Sequence, residues 1–329
     1  MSEVNREQIE TCLRKVVDVN LDQDLVTGNV VRDIKVDGGK VRLSLELGYP
    51  AEGYRQELVQ QVRSALENID GIETVEIDLT VNITSHAVQK GVKPLANVKN
   101  TIAIASGKGG VGKSTTAVNL ALALQAEGAK VGILDADIYG PSQPRMLGCH
   151  KKPESTDGKK LEPNVSYHLQ SMSIGYLIDE ETPMIWRGPM VTSALEQMLA
   201  DTNWQDLDYL IIDLPPGTGD IQLTLCQKIP VSGAIIVTTP QDIALLDARK
   251  ALKMFQKVEV SVLGIVENMS THICSNCGHE EHIFGAGGGE SMAKQYGVEL
   301  LGSLPLDIAI REGVDNGKPT VAIAPDSPV

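Results

Sequence analysis

Short apolar runs alternate with helical stretches along most of the chain after Thr101. The runs fall at residues 102–105, 131–134, 209–212, 234–237, 262–266 and 300–304. Because consecutive positions are apolar, both faces of each predicted strand must be covered, which is typical of a parallel sheet between layers of helices. The pattern predicts an α/β domain, whose ligand binds beyond the carboxyl ends of the strands.

The first part of the chain has a different pattern and predicts a small α+β domain over residues 1–85. Apolar residues at helical spacing predict a first helix through Ile9, Cys12, Leu13, Val16 and Val17. Two strands, a helix and a last strand are expected after it, at residues 30–36, 41–47, 52–67 and 75–83. Residues 86–98 lack periodicity and predict a linker to a second domain over residues 99–329.

Charge and composition narrow the expected partners. The 329 residues carry 43 acidic against 29 basic side chains, a formal net charge of −14, and aromatic residues make up 3%. So acidic a chain offers no basic face for a phosphate backbone, and so few aromatic residues do not form a stacking platform for single strands. Nucleic acid is therefore not an expected partner.

Membrane insertion and secretion are also not expected. No run approaches the ~18 apolar residues that a membrane span needs, and the segment after Met1 does not have the pattern of a signal peptide. We therefore expect a cytoplasmic protein without a membrane partner. In that compartment its five cysteines are free thiols or metal ligands rather than disulfides.

A phosphate-binding loop follows the first apolar run. Its sequence satisfies G-x-x-x-x-G-K-S/T between a predicted strand and a predicted helix, the setting that this motif requires. The loop N–H groups would surround phosphates, while Lys113 would reach the β- and γ-phosphates of a nucleotide and the Ser114 hydroxyl would bind Mg²⁺. The expected nucleotide-binding residues of the loop are Gly107, Lys108, Gly109, Gly110, Val111, Gly112, Lys113, Ser114 and Thr115.

Aspartates at the ends of two predicted strands complete the expected site. Asp213 follows the run at residues 209–212, where a carboxylate beside the phosphates can hold Mg²⁺ through water. Asp135 and Asp137 follow the run at residues 131–134. We expect Asp135 to support the coordination shell of the metal.

The loop and its neighbours resemble those of a known family. The pattern K-G-G-x-G-K-S/T, with Lys108 as the extra lysine, is similar to the deviant Walker A loop of the MinD/ParA/nitrogenase-iron-protein class. Residues 204–220 resemble the signature of the Mrp/ApbC family of iron–sulfur carrier ATPases, and residues 186–190 and 283–285 resemble further segments of it. The resemblance covers about residues 99–320. It implies a P-loop NTPase fold with a mostly parallel sheet.

The resemblance also implies roles for single residues. Lys108 would reach the nucleotide of a facing subunit, so ATP would lie between the two subunits of a homodimer. Asp137 would orient the attacking water, which makes Lys108, Lys113 and Asp137 the expected catalytic residues. Asn268 would read the edge of the adenine, and Pro305 lies where the base-contacting segment of the family falls.

The N-terminal unit resembles a small domain that is fused to such proteins and also occurs alone in iron–sulfur assembly factors. Many copies of it carry a cysteine in the loop after the hairpin, where this chain has no cysteine at residues 48–53. A role of this domain in handling clusters is therefore not expected. Cys12 is interpreted as a buried helix residue.

Cys274 and Cys277 lie in the densest group of metal ligands, with His272, His279 and His282 nearby. One C-x-x-C supplies two thiolates, half of what zinc or an iron–sulfur cluster needs, and the chain has no second C-x-x-C.

Four arrangements of this pair stay open. They are a [4Fe-4S] cluster bridging two subunits, zinc in the same intersubunit geometry, zinc within one chain with His279 and His282, and a redox pair. The family and the homodimer that the resemblance implies favour the bridging cluster.

The expected function is that of a homodimeric ATPase that carries the bridging cluster to apoproteins, in contact with assembly factors. Its ATP hydrolysis would be slow and coupled to loading or transfer. The alternatives are a zinc-bridged dimer and a positioning ATPase of the MinD/ParA type. A membrane-binding ATPase of that type should end in a basic amphipathic helix, whereas residues 318–329 have neither a basic nor a helical pattern.

Overall fold

The structure is a computed structural model that describes residues 4–155, 158–178 and 188–327. Two compact units occur in it: one extends to Thr84 and includes Ala126–Ala129, and the other comprises Ser85–Gln125 and the chain from Lys130 onward. Of the family segment expected at residues 186–190, Trp186 and Arg187 lie outside the described residues. The expected domain boundaries stay predictions.

The first unit is a three-stranded sheet with helices. Its elements are α1 (Arg6–Leu13), β1 (Val17–Asp18), β2 (Gln23–Asp24), β3 (Val31–Asp37), β4 (Lys40–Leu47), α2 (Arg55–Glu67) and β5 (Thr74–Val81). The central strand β4 pairs antiparallel with β3 and parallel with β5, and β1 pairs with β2 apart from this sheet. Alternate residues of β4 are buried, as the period of two predicts.

The first helix is shorter than its apolar pattern predicts. It begins after Asn5, which forms a capping box with Gln8, and it ends at Leu13. Val17 begins β1 instead, opposite Asp24. Val16 is buried without being helical, so the apolar spacing reflects packing beyond the end of the helix.

An eight-stranded sheet forms the centre of the second unit. Its strands are β6 (Val98–Ala105), β7 (Val131–Asp135), β8 (Asn164–Ser166), β9 (Leu169–Ser173), β10 (Leu207–Asp213), β11 (Gly233–Thr238), β12 (Val262–Glu267) and β15 (Glu299–Ser303). The strand order is β15-β12-β11-β6-β10-β7-β9-β8, and only the pairing of β8 with β9 is antiparallel. The prediction of a mostly parallel sheet in an α/β fold is confirmed.

Helices flank this sheet, and a small hairpin extends from it. The helices are α3 (Lys113–Ala126), α4 (Gln143–Met146), α5 (Gly188–Asp201), α6 (Asp220–Lys228), α7 (Asp242–Lys257), α8 (Gly288–Tyr296), α9 (Ile308–Asp315) and α10 (Thr320–Ile323), with a 3₁₀ turn at Ile174–Tyr176. The hairpin pairs β13 (His272–Ile273) with β14 (Glu280–Glu281). The expectation of no helix after residue 318 is wrong by one turn, α10. Among the described residues no helix has the length and apolar character to cross a membrane.

The segment expected to be a linker has no regular structure before β6, yet a buried glutamine anchors it to the second unit. Gln89 Nε2 donates to the carbonyl oxygens of Ile229, at 2.6 Å, and Cys226, at 3.0 Å. The N–H of Val231 donates to Gln89 Oε1 at 2.7 Å. Isolated polar contacts such as those of Gln89, or of the N–H of His86 with Asn100 Oδ1, leave no periodic pattern, so the sequence predicted only a linker.

The register of three central strands determines where the functional residues meet. β10 lies between β6 and β7, and it places Asp213 beside Ile104 on one side and beside Asp135 on the other. Because parallel strands end at the same edge, the loop after β6 and both aspartates gather at one place.

Candidate functional site

The phosphate-binding loop joins β6 to α3, and two of its glycines have φ angles that other residues rarely adopt. Gly110 and Gly112 both have φ of +82°. A Cβ on Gly110 would meet nothing within 4 Å, so this part of the loop is open. A Cβ on Gly112 would lie 2.1 Å from Asn268 Nδ2, so only glycine fits against that amide.

Neighbouring segments hold the loop by its carbonyl groups. Ser106 Oγ donates to the carbonyl oxygen of Lys108 at 2.9 Å, and the N–H of Gly217 donates to that of Ser106 at 2.9 Å. Asn268 Nδ2 donates to the carbonyl oxygen of Val111 at 2.9 Å. The loop is therefore shaped by the rest of the domain before any ligand binds.

A buried ion pair lies at the start of α3. The ammonium of Lys113 contacts Asp213 Oδ1, and it lies 3.1 Å from Ser114 Oγ. Lys113 is 5% exposed and Asp213 is fully buried. Gln143 Nε2 donates to the other carboxylate oxygen, Asp213 Oδ2, at 2.9 Å. A phosphate that binds here competes with the Asp213 carboxylate for the ammonium of Lys113.

Asp135 holds the segment that follows β7. Its Oδ2 accepts hydrogen bonds from the N–H groups of Ser142, at 2.9 Å, and Gln143, at 3.0 Å, and from Ser173 Oγ at 3.1 Å. Its Oδ1 accepts from the N–H of Asp137 at 3.2 Å. We expected Asp135 to support the metal, whereas here its oxygens face donors of this chain and determine the position of residues 137–143.

The charge state of Asp135 depends on its neighbours. Burial, and after it the negative charge of Asp213, raise the pKa of Asp135 to about 7. The N–H groups of Gln143 and Ser142 and the charge of Lys113 act in the opposite direction. A second full negative charge is thus unfavourable here until a cation arrives.

Asp137, Lys108 and Thr115 line the same region and are half-buried. Burial raises the pKa of Asp137, and the positive charge of Lys113 opposes that shift. Lys108 forms no ion pair with any residue in the described ranges. Its charge is available to a ligand or a second molecule.

Asn268 and Pro305 lie beside the loop. The side chain of Asn268 is buried against the carbonyl oxygen of Val111. The N–H of Leu304 donates to the carbonyl oxygen of Glu267, at 2.8 Å, and the N–H of Ser270 donates to that of Leu304, at 2.9 Å, which places Pro305 alongside. Contact of these two residues with a base stays a prediction.

Cys274 and Cys277 lie in the turn of the β13–β14 hairpin, a feature that the sequence pattern missed. Cys274 is half-buried and Cys277 is exposed. The N–H of Cys274 donates to the carbonyl oxygen of His279 at 2.9 Å, and the N–H of Gly278 donates to that of Cys274 at 2.8 Å. Hydrogen bonds from the backbone N–H groups of Asn276 and then Cys277 lower the pKa of the Cys274 thiol, which favours the thiolate that binds metals.

Two of the three histidines near this pair, His272 and His282, are engaged elsewhere. His282 Nδ1 lies 2.8 Å from the carbonyl oxygen of Ser270, and His272 Nδ1 lies 2.9 Å from that of Leu306. Across residues 4–155, 158–178 and 188–327, no group of three or more His, Cys, Asp and Glu side chains is placed to hold one metal ion. The geometry therefore gives no support to zinc bound within one chain.

Two other cysteines have the character of ordinary thiols. Burial raises the pKa of Cys226 to about 12. Cys12 Sγ donates to the carbonyl oxygen of Ala65 at 3.2 Å, and burial raises its pKa too. Both thiols are therefore poor metal ligands at neutral pH.

Sequence reasoning missed Ser106, Gln143 and Ser173, which contact the site from three different segments. None belongs to a motif: Ser106 precedes the loop motif and bonds Lys108 two residues on, whereas Gln143 and Ser173 act through partners that are distant along the chain. The sequence offered one signal for Gln143: it lies six residues after Asp137, in the segment that follows a strand end of the predicted site.

The structure predicts that Gly112→Ala weakens nucleotide binding by about tenfold or more, because the new Cβ displaces Asn268 from the loop. Titration with a fluorescent ADP analogue measures this. Gly297→Ala is the matched control, since Gly297 has φ of +64° but open space around a Cβ. Equal affinity in the two variants would contradict the account.

The raised pKa of Asp135 predicts that the stability of the nucleotide-free protein depends on pH when a chelator removes metal ions. The folded state holds its proton up to a pKa of about 7, while the unfolded chain loses it near 4. This group therefore lowers the free energy of unfolding as pH rises from 4 to 7, by up to about 1.4 kcal/mol per pH unit.

Urea denaturation across this range, for wild type and for Asp135→Asn, measures that difference in slope. Asp206→Asn, at an exposed ion pair with Lys130, is the control and should keep the wild-type slope. The same slope in wild type and Asp135→Asn would rule out the raised pKa.

Comparison with known proteins places both units in described families. The family described as "NUBPL iron-transfer P-loop NTPase" matches residues 97–329, and the family described as "Iron-sulfur cluster assembly protein" matches residues 6–79. A relative from Escherichia coli named "Iron-sulfur cluster carrier protein" is 59% identical over 83% of this chain and 74% of its own length. A relative of the same name from Haemophilus influenzae is 50% identical over 98% of this chain and 87% of its own length.

Solved structures agree with this placement. A nucleotide-binding protein from Archaeoglobus fulgidus in complex with ADP has a TM-score of 0.60 and 38% identity, covering 68% of this chain and 88% of that chain. The cell division ATPase MinD from Pyrococcus furiosus shares the fold, with a TM-score of 0.52 and 24% identity over 70% and 92% of the two chains. The chain therefore belongs to the NUBPL/Mrp family of iron–sulfur cluster carrier P-loop NTPases.

Proposed function

We propose that this protein is a homodimeric ATPase that holds a [4Fe-4S] cluster between its two subunits and transfers it to apoproteins. The observation that carries the proposal is the hairpin with Cys274 and Cys277, which offers two thiolates without a third ligand in the described part of the chain. A cluster needs four ligands, so a second copy supplies the other two. The names of the relatives support iron–sulfur cargo over zinc.

The chemistry of the hairpin suits a cargo that must leave again. The N–H groups that lower the pKa of Cys274 favour its thiolate, while Cys277 is exposed. Two thiolates per subunit at an exposed position leave the cluster accessible to the thiolates of an apoprotein, which can replace them one at a time.

The residues at the nucleotide site fit ATP and Mg²⁺. The loop is open at Gly110, and Ser114 and Asp213 bring a hydroxyl and a carboxylate to one place. We propose that these two residues hold Mg²⁺, which would neutralise charge on the phosphates when bound.

Three residues then act on the phosphates and the water, and a fourth acts on the base. Lys113 leaves Asp213 for the β- and γ-phosphates, and Lys108 reaches the nucleotide of the partner subunit. Asp137, whose pKa burial raises, orients the attacking water. Asn268 is proposed to contact the adenine, next to Pro305.

A short segment connects the nucleotide site to the cysteines. Asn268 contacts the loop at Val111, and Cys274 follows six residues later along the chain. Between them, Ser270 and His272 are held by the carbonyl groups of Leu304 and Leu306. We propose that a change of the loop on hydrolysis shifts this segment and thereby the hairpin.

Apo iron–sulfur proteins and assembly factors are the proposed partners of this protein, and the cytoplasm is its proposed compartment. A positioning ATPase on DNA or membrane would leave the cysteine hairpin without a use, so we do not favour that alternative.

Anaerobic reconstitution with ferrous iron and sulfide should give wild type a brown chromophore that Cys274→Ser or Cys277→Ser abolishes. Each variant removes one of the two thiolates that a subunit offers. Visible absorption and metal counting measure the effect, and Cys149→Ser should keep the chromophore, since that half-buried thiol belongs to no metal-ligand group. The carrier function is wrong if wild type stays colourless, or if bound zinc is found in place of iron.

ATP turnover should fall at least about a hundredfold in Lys113→Ala, because the charge that the phosphates need is lost. Lys108→Ala should still bind ADP, since its amine acts on the partner's nucleotide, yet lose turnover. Phosphate release and ADP titration separate the two effects. Lys130→Ala, which breaks an exposed ion pair with Asp206, is the control. Wild-type turnover in Lys113→Ala would mean that the loop is not a catalytic site.

A further inference from the structure

Gln143 is fully buried at the start of α4, in contact with the strand end and the loop that form the nucleotide site. Its Nε2 donates to Asp213 Oδ2 at 2.9 Å and to the carbonyl oxygen of Ser114 at 3.1 Å. Both partners only accept hydrogen bonds, so the amide nitrogen must face them and Oε1 must face away. The contacts thus define which way this side chain points.

The carbonyl oxygen of Gln143 has no hydrogen-bond partner among the described residues, although it is buried. The hydroxyl oxygen of the adjacent Ser142 is also buried without a partner there. Buried polar atoms in folded proteins are almost always paired, and an amide oxygen can only accept, so Gln143 Oε1 calls for a donor outside the described residues.

The place of these atoms indicates what the donor is. Gln143 bonds both Ser114 and Asp213, the two residues that we propose hold Mg²⁺. A magnesium ion usually keeps several of its waters, and these waters donate hydrogen bonds to acceptors around the site. An uncharged amide can hold the carboxylate with one end and accept from a water with the other.

From this geometry we infer that Gln143 is a positioning residue of the Mg²⁺ site, an inference that rests on the proposed ATPase function. Its Nε2 orients Asp213 and the Ser114 backbone, and its Oε1 accepts a hydrogen bond from a water of the hydrated metal. Its own N–H, held by Asp135, links the metal site to the segment that carries Asp137.

The side chain of Gln143 is suited to this role because it is uncharged and long enough to reach both of its partners. A glutamate would place a third carboxylate beside Asp213 and Asp135. A methionine of similar size would leave Asp213 Oδ2 without its donor and the metal water without an acceptor. An asparagine is one methylene shorter and does not keep both bonds of Nε2.

The test is the gain in affinity for a fluorescent ADP analogue that Mg²⁺ gives over EDTA, in the full-length protein. In Gln143→Met this gain should fall by about ten- to a hundredfold, as when other residues that orient metal ligands are removed. The affinity in EDTA should stay within about twofold of wild type, because the loop itself is intact.

Gln170→Met is the matched control and should keep the full gain. Gln170 is also a hydrogen-bonded glutamine of this unit, but its partner is Gln205. Thermal unfolding checks folding, and if Gln143→Met is unfolded then Gln143→Asn replaces it, with a smaller loss of the same gain expected.

Each outcome bears on the inference. If Gln143→Met loses affinity for the ADP analogue equally in Mg²⁺ and in EDTA, Gln143 acts on the fold alone. If the gain in affinity from Mg²⁺ is unchanged, Gln143 does not act on the metal. Either result overturns the inference while the ATPase function stands. Wild type that binds no nucleotide would overturn the proposed function and the inference together.

Discussion

The buried ion pair of Lys113 and Asp213 holds together the segments from which the nucleotide site is built. Asp213 ends β10 and Lys113 begins α3, and Gln143, in the segment after β7, donates to Asp213 and to the carbonyl oxygen of Ser114. Removing one charge of a buried pair leaves the other uncompensated in a medium of low polarity. Without ligand, Lys113 and Asp213 compensate each other's charge, and a phosphate that binds Lys113 competes with Asp213.

The cysteine hairpin differs from the nucleotide site, because its potential metal ligands are not satisfied within the described part of the chain: it offers two thiolates, and a cluster needs four ligands. Its backbone prepares Cys274 as a thiolate, and the neighbouring histidines serve the backbone rather than a metal. Asn268 contacts the phosphate loop a short distance along the chain from these cysteines. In the function we propose, a nucleotide that draws two subunits together assembles the four thiolates, and its loss separates them.

Much of this could be predicted from the sequence, where the signal is local. The apolar runs located six of the parallel strands, among them the three that carry the loop and the aspartates, and the motif located Lys113 and Ser114. The strands β8 and β9 were missed because they are short and partly polar. The contacts of Asp135, Gln89 and Gln143 were missed because each joins residues that are distant along the chain and leaves no periodic pattern.

Native mass spectrometry of the anaerobically reconstituted protein tests the central claim, that one chain supplies half of a cluster site. The account predicts a species of two chains that carries a single [4Fe-4S] cluster, which dissociates into monomers without cluster when iron is chelated. A single chain that carries a complete cluster, or a dimer that carries two, would contradict it.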